Sequence, residues 1–271
     1  MKRMMMAVCL AAVLVLTGSA AMAHNVWINV DNHFPAVGRT VEIGIAWGHK
    51  YPAGRLDQEM KPGNLAYIQV IDPDGVKIVP ETVSETQYKL TVDKAGAYLV
   101  TAGIKPGVFT KTTEGRKWSD KRGVENAISC TSFSIEAKTL VLAGGQAKNL
   151  DGKTGQALEV VPQTDPARIK AGDQLDLLVL FQGQPAAGVA VNAAYEGYTD
   201  ENQAGDVAPH AGGHSKKFPA GGTTAADGRV KLTLDRAGYW IVTISHKTPY
   251  PDTTVCDEYM HNMAFTFFVN P

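Results

Sequence analysis

The sequence lacks a long hydrophobic run, a large net charge of either sign and the common catalytic signatures. Its most apolar stretch, residues 7–16, is about half the ~20 residues that a transmembrane helix needs. The 26 basic and 27 acidic residues nearly cancel, so nucleic acid and anionic membrane surfaces are not expected partners. No G-x-S-x-G, H-E-x-x-H, Walker or dinucleotide-binding pattern occurs. We therefore expect a binding protein without membrane insertion, and not an enzyme.

Cysteine is also scarce, with only Cys9, Cys130 and Cys256 in 271 residues. Cys9 lies inside the N-terminal apolar stretch and lacks the small-residue context of a lipoprotein cleavage site. Cys130 and Cys256 are far apart in sequence, and such a pair often forms a disulfide in an oxidising compartment. Two free thiols, one of them a metal ligand, are the alternative.

The first 23 residues have the pattern of a secretory signal peptide. A basic start at Lys2 and Arg3 precedes the apolar stretch, and Ala21-Met22-Ala23 is an A-x-A cleavage site. Cleavage leaves 24 basic and 27 acidic residues in a periplasmic or secreted protein with a formal charge of −3. His24 then becomes the first residue. Its α-amine and imidazole are both nitrogen donors, which together can chelate nickel, cobalt, copper or zinc.

Helical periodicity is nearly absent, and short alternating segments separated by Gly, Pro, Asn and Asp predict an all-β protein. Residues 88–102 (YKLTVDKAGAYLVTA) and 230–244 (VKLTLDRAGYWIVTI) form an internal repeat at a constant offset of 142. Each copy reads as strand, Asp-x-Ala-Gly turn and strand with an aromatic residue soon after the turn. This pattern is typical of the corner between strands E and F of an immunoglobulin-like sandwich. We predict two tandem immunoglobulin-like β-sandwich domains.

The predicted boundaries follow from the repeat and from composition. Residues 1–23 are the signal peptide, 24–142 the first domain, and 156–271 the second. The Gly-rich and polar segment 143–155 is the predicted linker. Residues 197–228 form a long polar insertion in the second domain, and loops of that length are usually functional or disordered.

Seven histidines make a transition metal the most specific chemical prediction. His49 follows a strand that ends near Trp47, so it can meet the chain start at one end of a sandwich and share a metal with His24. His246 ends a predicted strand, and His261 closes the donor-rich segment Cys256–His261, whose spacing matches no closed zinc motif. His33 reads as a surface turn histidine. His210 and His214 lie in the polar insertion. We expect a solvent-exposed loop there, and weak metal binding by the two histidines is the alternative.

The order of several motifs resembles a periplasmic family whose members are described as domain-of-unknown-function proteins or as NikM/NikK-type components of a nickel-transport complex. The resemblance covers nearly all of the chain after residue 23. The motifs that carry it are Ala23–Trp27, Gly48–Pro52, the 93–98 corner, Ile135–Lys138, Ala157–Pro162, Gly172–Leu175 and Phe181–Val191.

The resemblance implies a protein that binds nickel or cobalt and works beside an energy-coupling-factor importer. His24 and His49 match the places of the family's expected ligands, although His49 is followed by Lys-Tyr-Pro where the family has proline directly. Cys130 stands where a further family histidine is expected. A thiolate at position 130 favours a softer metal. The alternative is that Cys130 forms a disulfide with Cys256 and binds no metal. The predicted ligand set is therefore His24, His49 and Cys130, with His246 and His261 as further candidates.

Two other functions compete with this prediction. A sandwich module that binds a protein or a carbohydrate without metal would use the loops 50–61 and 197–228 as contact surfaces. A copper enzyme with an N-terminal histidine brace would need one sandwich with a flat aromatic face, and the tandem repeat argues against it.

Overall fold

The computed structural model describes residues 25–48, 60–198 and 218–271, and these ranges are almost entirely β-strand. The all-β prediction is confirmed. In the described part of the chain, no helix is both long and apolar enough to cross a bilayer. The strands of the first half are β1 (Asn25–Val30), β2 (Arg39–Gly48), β3 (Leu65–Ile71), β4 (Lys77–Ile78), β5 (Glu81–Thr82), β6 (Gln87–Val92), β7 (Gly96–Ile104), β8 (Gly107–Thr112), β9 (Gly115–Lys117) and β10 (Ala127–Ala143).

The second half begins after β10, and a short 3₁₀ helix, Pro166–Arg168, lies between its first two strands. Its strands are β11 (Leu158–Pro162), β12 (Gln174–Phe181), β13 (Gln184–Pro185), β14 (Ala190–Tyr195), β15 (Ala220–Thr223), β16 (Arg229–Thr233), β17 (Gly238–Pro249) and β18 (Glu258–Val269).

Three sheets organise these strands. The N-terminal sheet has the order β1-β2-β6-β5, and the C-terminal sheet joins β11, β12 and β13, with β16 on the other side of β12. The central sheet has the order β15-β14-β17-β18-β10-β7-β3-β4, and the β8–β9 hairpin pairs with the first part of β10. The central sheet therefore contains strands from both halves of the chain.

Each half is an immunoglobulin-like β-sandwich, and the two sandwiches use opposite faces of the central sheet. Strand β7 shows this directly, because all nine of its residues are buried. Ala97 and Leu99 belong to the core beneath the C-terminal sheet, whereas Tyr98 and Val100 belong to the core beneath the N-terminal sheet. Successive side chains of a strand point to opposite faces, so β7 contributes to both cores.

The halves are joined by direct strand pairing. β10 and β18 pair in parallel from Thr131↔Glu258 to Thr139↔Thr266. The Thr139 hydroxyl donates to the Thr266 carbonyl at 2.8 Å, and the Thr266 hydroxyl donates to the Ile28 carbonyl of β1 at 2.6 Å. A small cluster of Trp27, Ala46, Ile241 and Ala264 packs the N-terminal sheet against β17 and β18. This edge-to-edge joining was not part of the sequence prediction.

The repeat noticed in the sequence forms the corners β6–β7 and β16–β17. Both turns end on a glycine with positive φ, Gly96 (+135°) and Gly238 (+113°), which an L side chain rarely adopts. A Cβ on Gly96 would also lie 2.6 Å from Pro73. The two aromatic positions are equivalent in the repeat and both are buried: Tyr98 and Trp240.

Two predicted irregular segments are partly ordered by the fold. In the predicted linker, the Asn149 side chain donates a hydrogen bond to the Asp72 carbonyl at 3.0 Å. Leu150 packs against the core beneath the C-terminal sheet. In the predicted polar insertion 197–228, residues 199–217 lie outside the described ranges. Residues 220–223, however, form β15 and pair with β14 at the edge of the central sheet.

Candidate functional site

One end of the N-terminal sheet is closed by the pairing of Asn25 with Gly48. The same antiparallel register continues from this pair to Val30↔Ile43. The predicted ligands His24 and His49 are the covalent neighbours of Asn25 and Gly48, and both lie outside the described residues. The described structure therefore locates the residues to which the two histidines are attached, and these residues are cross-strand partners.

Cys130 is not available as the predicted thiolate ligand, because it forms a disulfide with Cys256, with an S–S distance of 2.10 Å. The prediction of Cys130 as a metal ligand is wrong in this state, since neither sulfur is a thiolate. The bridge ties β10 to the segment before β18, and Asp257 supports it by accepting from the Cys130 amide at 2.7 Å. The hydrogen bond from Lys121 holds the pKa of the Asp257 carboxyl below its usual range.

The structure brings His246 and His261 together, although they are 15 positions apart on two strands. They are direct cross-strand partners in the β17–β18 hairpin. Both rings contact the ring of Phe181 at the end of β12, with centroid distances of 4.7 Å to His246 and 5.1 Å to His261. The two imidazoles therefore lie side by side on the face of the central sheet that carries the C-terminal sheet.

The surroundings of the two rings favour neutral imidazoles. Both side chains are half-buried, and burial lowers the pKa of each. A positive His246 would lower the pKa of His261 further. The hydroxyl of Ser134, the parallel partner of His261 on β10, lies 3.0 Å from Nδ1 of His261. A neutral imidazole keeps one ring nitrogen free to accept a proton or a metal ion.

Within residues 25–48, 60–198 and 218–271, no group of three or more His, Cys, Asp and Glu side chains is placed to hold a metal ion. The histidine pair is thus a two-ligand arrangement as far as the described residues go. The other predicted donors, His210 and His214, fall outside the described ranges.

His33 is a structural residue and not the surface turn histidine that the sequence suggested. It is only 5 % exposed, and its Nδ1 lies 2.9 Å from the carbonyl of Leu140. A carbonyl only accepts hydrogen bonds, so Nδ1 carries the proton. Burial lowers the pKa of His33 to about 4. The segment containing His33 is thereby fastened to β10, since the Leu142 amide also donates to the His33 carbonyl.

An aromatic surface patch lies on the β8–β9 hairpin and the neighbouring part of β10. Trp118 is 70 % exposed and packs edge-on against Phe109 and Phe133, with centroid distances of 6.0 Å and 6.3 Å. The guanidinium of Arg116 lies over the Phe109 ring at 4.3 Å. We call these four residues the Trp118 patch. An exposed aromatic surface of this kind commonly marks a contact site.

Sequence reasoning missed the partners of these residues. Ser134 and Phe181 join the histidine pair, but neither belongs to a pattern that indicates a metal. The alternation of β10, in which Ser132, Ser134, Glu136 and Lys138 share one face, was a usable signal for a polar stripe. The Trp118 patch needed the pairing of β8 with both β9 and β10, which no local pattern in the sequence indicates.

The family comparison covers most of the chain. Residues 21–248 match the family described as "Domain of unknown function (DUF4198)". This match confirms the domain-of-unknown-function part of the predicted resemblance, while a NikM/NikK-type role stays a prediction. No curated protein matches the sequence.

Several solved structures of fibronectin-like and adhesin domains align at low similarity. The fibronectin(III)-like modules of CbhA from Clostridium thermocellum are 11 % identical, cover 90 % of this chain and 94 % of theirs, and give a TM-score of 0.21. The D00–D0 domain of Intimin is 13 % identical, with 91 % and 100 % covered and a TM-score of 0.20. The FN1–FN3 domains of chicken CNTN1 are 9 % identical, with 91 % and 68 % covered and a TM-score of 0.24. Scores this low carry no argument about function.

Proposed function

For this chain, which belongs to the family described as Domain of unknown function (DUF4198), we propose the role of a periplasmic transition-metal-binding accessory protein of a metal uptake system. The cargo is nickel or cobalt, held by the N-terminal histidine of the processed chain and by His49. The membrane components of an energy-coupling-factor importer are the proposed partners, and the protein itself carries out no catalysis.

The observation that carries the proposal is the pairing of Asn25 with Gly48. His24 and His49 are each one covalent bond away from this pair, so the sequence attaches both histidines to cross-strand partners. Metal–nitrogen bonds are about 2.0–2.1 Å long, and two imidazoles attached to neighbouring strands can share one ion when both rings turn toward it.

The donor set suits a borderline metal. Cleavage after Ala23 gives His24 a free α-amine, so the two histidines supply three nitrogen donors. Imidazole and amine nitrogens favour nickel, copper, cobalt and zinc over magnesium and calcium. Three protein donors leave coordination positions open, as expected of a protein that passes its cargo on. The disulfide at Cys130 argues against a soft thiolate ligand. Among the metals that suit nitrogen donors, we propose nickel or cobalt because the sequence resembles components of nickel transport.

The test is a calorimetric titration of the processed protein, which begins at His24, with nickel, cobalt, copper and zinc. The comparison protein carries one extra residue before His24, which turns the α-amine into an amide. We expect the extension and His49→Ala each to weaken nickel binding by at least about tenfold, the lower end of what loss of a supporting group costs a metal site. The double variant His210→Ala/His214→Ala is the matched control, and its affinity should not change.

Nickel binding that is indifferent to the extension would contradict the proposal. Binding that survives well below the histidine pKa, where imidazole and amine are both protonated, would contradict it as well. Absence of binding to all four metals would leave the non-metal alternative.

That alternative, a carbohydrate-binding module, is favoured by one observation. The exposed ring of Trp118 lies beside Phe109 and Phe133 on an open sheet surface, where a sugar ring can stack. The contact loops predicted from the sequence, 50–61 and 197–228, lie largely outside the described residues. Retention on polysaccharide resins in the presence of a chelator, lost in Trp118→Ala, would support this function. Equal retention of both proteins would exclude the patch.

A further inference from the structure

A second metal site is suggested by the pair His246 and His261 on the β17–β18 hairpin. The two residues are direct cross-strand partners, and one aromatic ring, Phe181, contacts both imidazoles. Directly opposite residues of an antiparallel pair point to the same face of the sheet, and the ring centroids of His246 and His261 lie 4.7 Å and 5.1 Å from that of Phe181. Cross-strand partners also have Cβ atoms only about 4.5–5.5 Å apart, which suits chelation of a single ion.

Ser134 determines which nitrogen of the His261 ring is free to bind a ligand. When Nδ1–H of His261 donates to the Ser134 hydroxyl, 3.0 Å away, Nε2 is left with a free lone pair. Metal-binding histidines almost always donate their second ring N–H to a neighbouring acceptor in this way, which fixes both the tautomer and the ring orientation. In the described ranges, by contrast, the His246 ring has no hydrogen-bond partner, so either of its nitrogens can serve.

The nearby side chains narrow the choice of ion. The carboxylate on the same face as the pair, that of Glu136 on β10, accepts a hydrogen bond from the Tyr67 hydroxyl at 2.6 Å. Glu258, three residues from His261 on β18, points to the opposite face and is engaged by Lys247 at 2.7 Å and by the Thr131 hydroxyl at 2.9 Å. Both cysteines of the described chain are closed in the disulfide. Two imidazoles without a carboxylate suit copper, nickel or zinc and do not suit magnesium or calcium.

The position of the pair also separates it from the interior. Ile244 and Met263, the next residues on the same face, are buried core residues, whereas His246 and His261 are half-exposed. The rings therefore lie where the core of the second sandwich meets solvent. Water can complete the coordination of an ion there, while Phe181 covers one side of the pair.

We propose that His246 and His261 together bind a borderline divalent metal ion through two imidazole nitrogens, with water in the remaining positions and Ser134 positioning His261. The site is independent of the N-terminal histidine. It goes beyond the proposed function, since it needs neither signal cleavage nor His49.

The test uses zinc and the full secreted chain carrying one extra residue before His24 and His49→Ala, so that the N-terminal site is disabled. Long-range ¹H–¹⁵N spectra of the histidine rings are recorded as zinc is added. We expect selective shifts of one nitrogen in each of His246 and His261, with Nδ1 of His261 remaining protonated. Shifts confined to His210 and His214, or no shift at millimolar zinc, would overturn the proposal.

Affinity variants give a second readout on the same background. His246→Gln and His261→Gln should each weaken zinc or copper binding by at least about tenfold. Ser134→Ala should weaken binding less, and the His261 ring should then no longer be held in a single tautomer. His210→Gln/His214→Gln is the matched control and should leave this site unchanged. If the variants fold and bind as tightly as their parent, the pair is not a metal site. A variant that misfolds leaves the spectra of the unsubstituted rings as the deciding measurement.

The two proposals fail separately in this design. Loss of binding on N-terminal extension alone supports only the proposed function. Binding that survives the extension but is lost in His246→Gln supports only the second site.

Discussion

The ammonium group of Lys138 lies 3.0 Å from the carboxylate of Glu159, and both side chains are almost completely buried. Lys138 belongs to β10 and Glu159 to β11, so the ion pair links the shared central sheet to the first strand of the C-terminal sheet. Glu159 also accepts hydrogen bonds from the amide and hydroxyl of Thr154 at 2.6 Å and 2.9 Å. The pair is thus anchored on both sides where the chain passes from one sandwich to the other.

Removing one partner of this buried pair should be strongly destabilising. Glu159→Leu leaves the Lys138 ammonium buried without compensation, and we expect a loss of about 3–5 kcal/mol in the free energy of unfolding. The double variant Lys138→Met/Glu159→Leu should lose clearly less than the sum of the two single variants, because no charge is then left buried. Urea unfolding of all four proteins gives the coupling energy.

The exposed ion pair Lys247–Glu258 is the control for this set of single and double variants. Its side chains are 46 % and 30 % exposed, and exposed pairs contribute about 0–1 kcal/mol. Lys247→Met should therefore change stability little. Additive single effects at Lys138 and Glu159 would show that the pair is not coupled.

The disulfide should contribute substantially to stability. It closes a segment with a sequence separation of 126, and disulfides typically stabilise by about 2–4 kcal/mol, more for long segments. Reduction, or Cys130→Ser/Cys256→Ser, should lower the denaturation midpoint accordingly. A thiol titration of the unreduced protein should find neither cysteine reactive after unfolding. Reactive thiols in the unfolded, unreduced protein would restore Cys130 as a candidate ligand.

Stability should fall in acid because of His33. Its pKa is about 4 in the folded protein, whereas an unfolded histidine has a pKa near 6.5. Between these values the unfolded chain binds more protons, so this contribution is complete above pH ~6.5 and is lost progressively as the pH falls toward 4. The expected size is on the order of 3 kcal/mol.

The control for this effect is His33→Gln, whose amide can still donate to the Leu140 carbonyl. Denaturant unfolding between pH 4 and 8 should show a weaker pH dependence in the variant than in the parent protein. Other titrating groups, His246 and His261 among them, contribute equally to both proteins and cancel in the difference. Parallel curves would mean that His33 does not remain neutral in the fold.

The two copies of the repeat should respond to the same kind of substitution. The Tyr98 hydroxyl donates to Asp93 at 3.0 Å and accepts from the Lys94 amide at 2.9 Å, and the Trp240 indole donates to the Arg236 carbonyl at 3.0 Å. Tyr98→Phe should cost about 0.5–1.5 kcal/mol, because it removes the hydrogen bonds to Asp93 and to the Lys94 amide, and the exposed Asp93 carboxylate can be solvated instead. Trp240→Phe should cost more, since it also opens a cavity. Both losses of stability are measured from the midpoints of urea unfolding. An unchanged midpoint in Tyr98→Phe would show that the hydrogen bonds of the Tyr98 hydroxyl do not stabilise the fold.

The sequence was a good guide to everything that depends on local pattern. The alternation of apolar residues identified strands, and the repeated Asp-x-Ala-Gly turn identified the corners at Gly96 and Gly238. The parallel pairing of β10 with β18 could not be predicted, because alternation shows which face a residue takes but not which strand lies beside it. β10 and β7 are apolar on both faces at their shared end, and this was the available sign that both sides are covered.

The candidate sites were less predictable for the same reason. His246 and His261 are ordinary strand residues in sequence, and only the hairpin register places them side by side. His33 looked like a surface residue because Asp31, Asn32 and Pro35 around it indicate a turn. The turn is real, but the side chain is buried against β10. The choice between a disulfide and a thiolate at Cys130 needed the distance to Cys256, which sequence separation does not supply.

The parallel pairing of β10 with β18 has a consequence for how the chain reaches its native state. Partners in this ladder are 127 residues apart, so the central sheet forms only after distant parts of the chain meet. A high mean separation between contacting residues goes with slow folding, because the entropy of closing the intervening chain opposes the first contacts. Until β18 arrives, one side of β10 is an open strand edge able to pair with another chain. Refolding yield should therefore fall as protein concentration rises, although in the finished protein residues 131–139 of that edge are paired with β18.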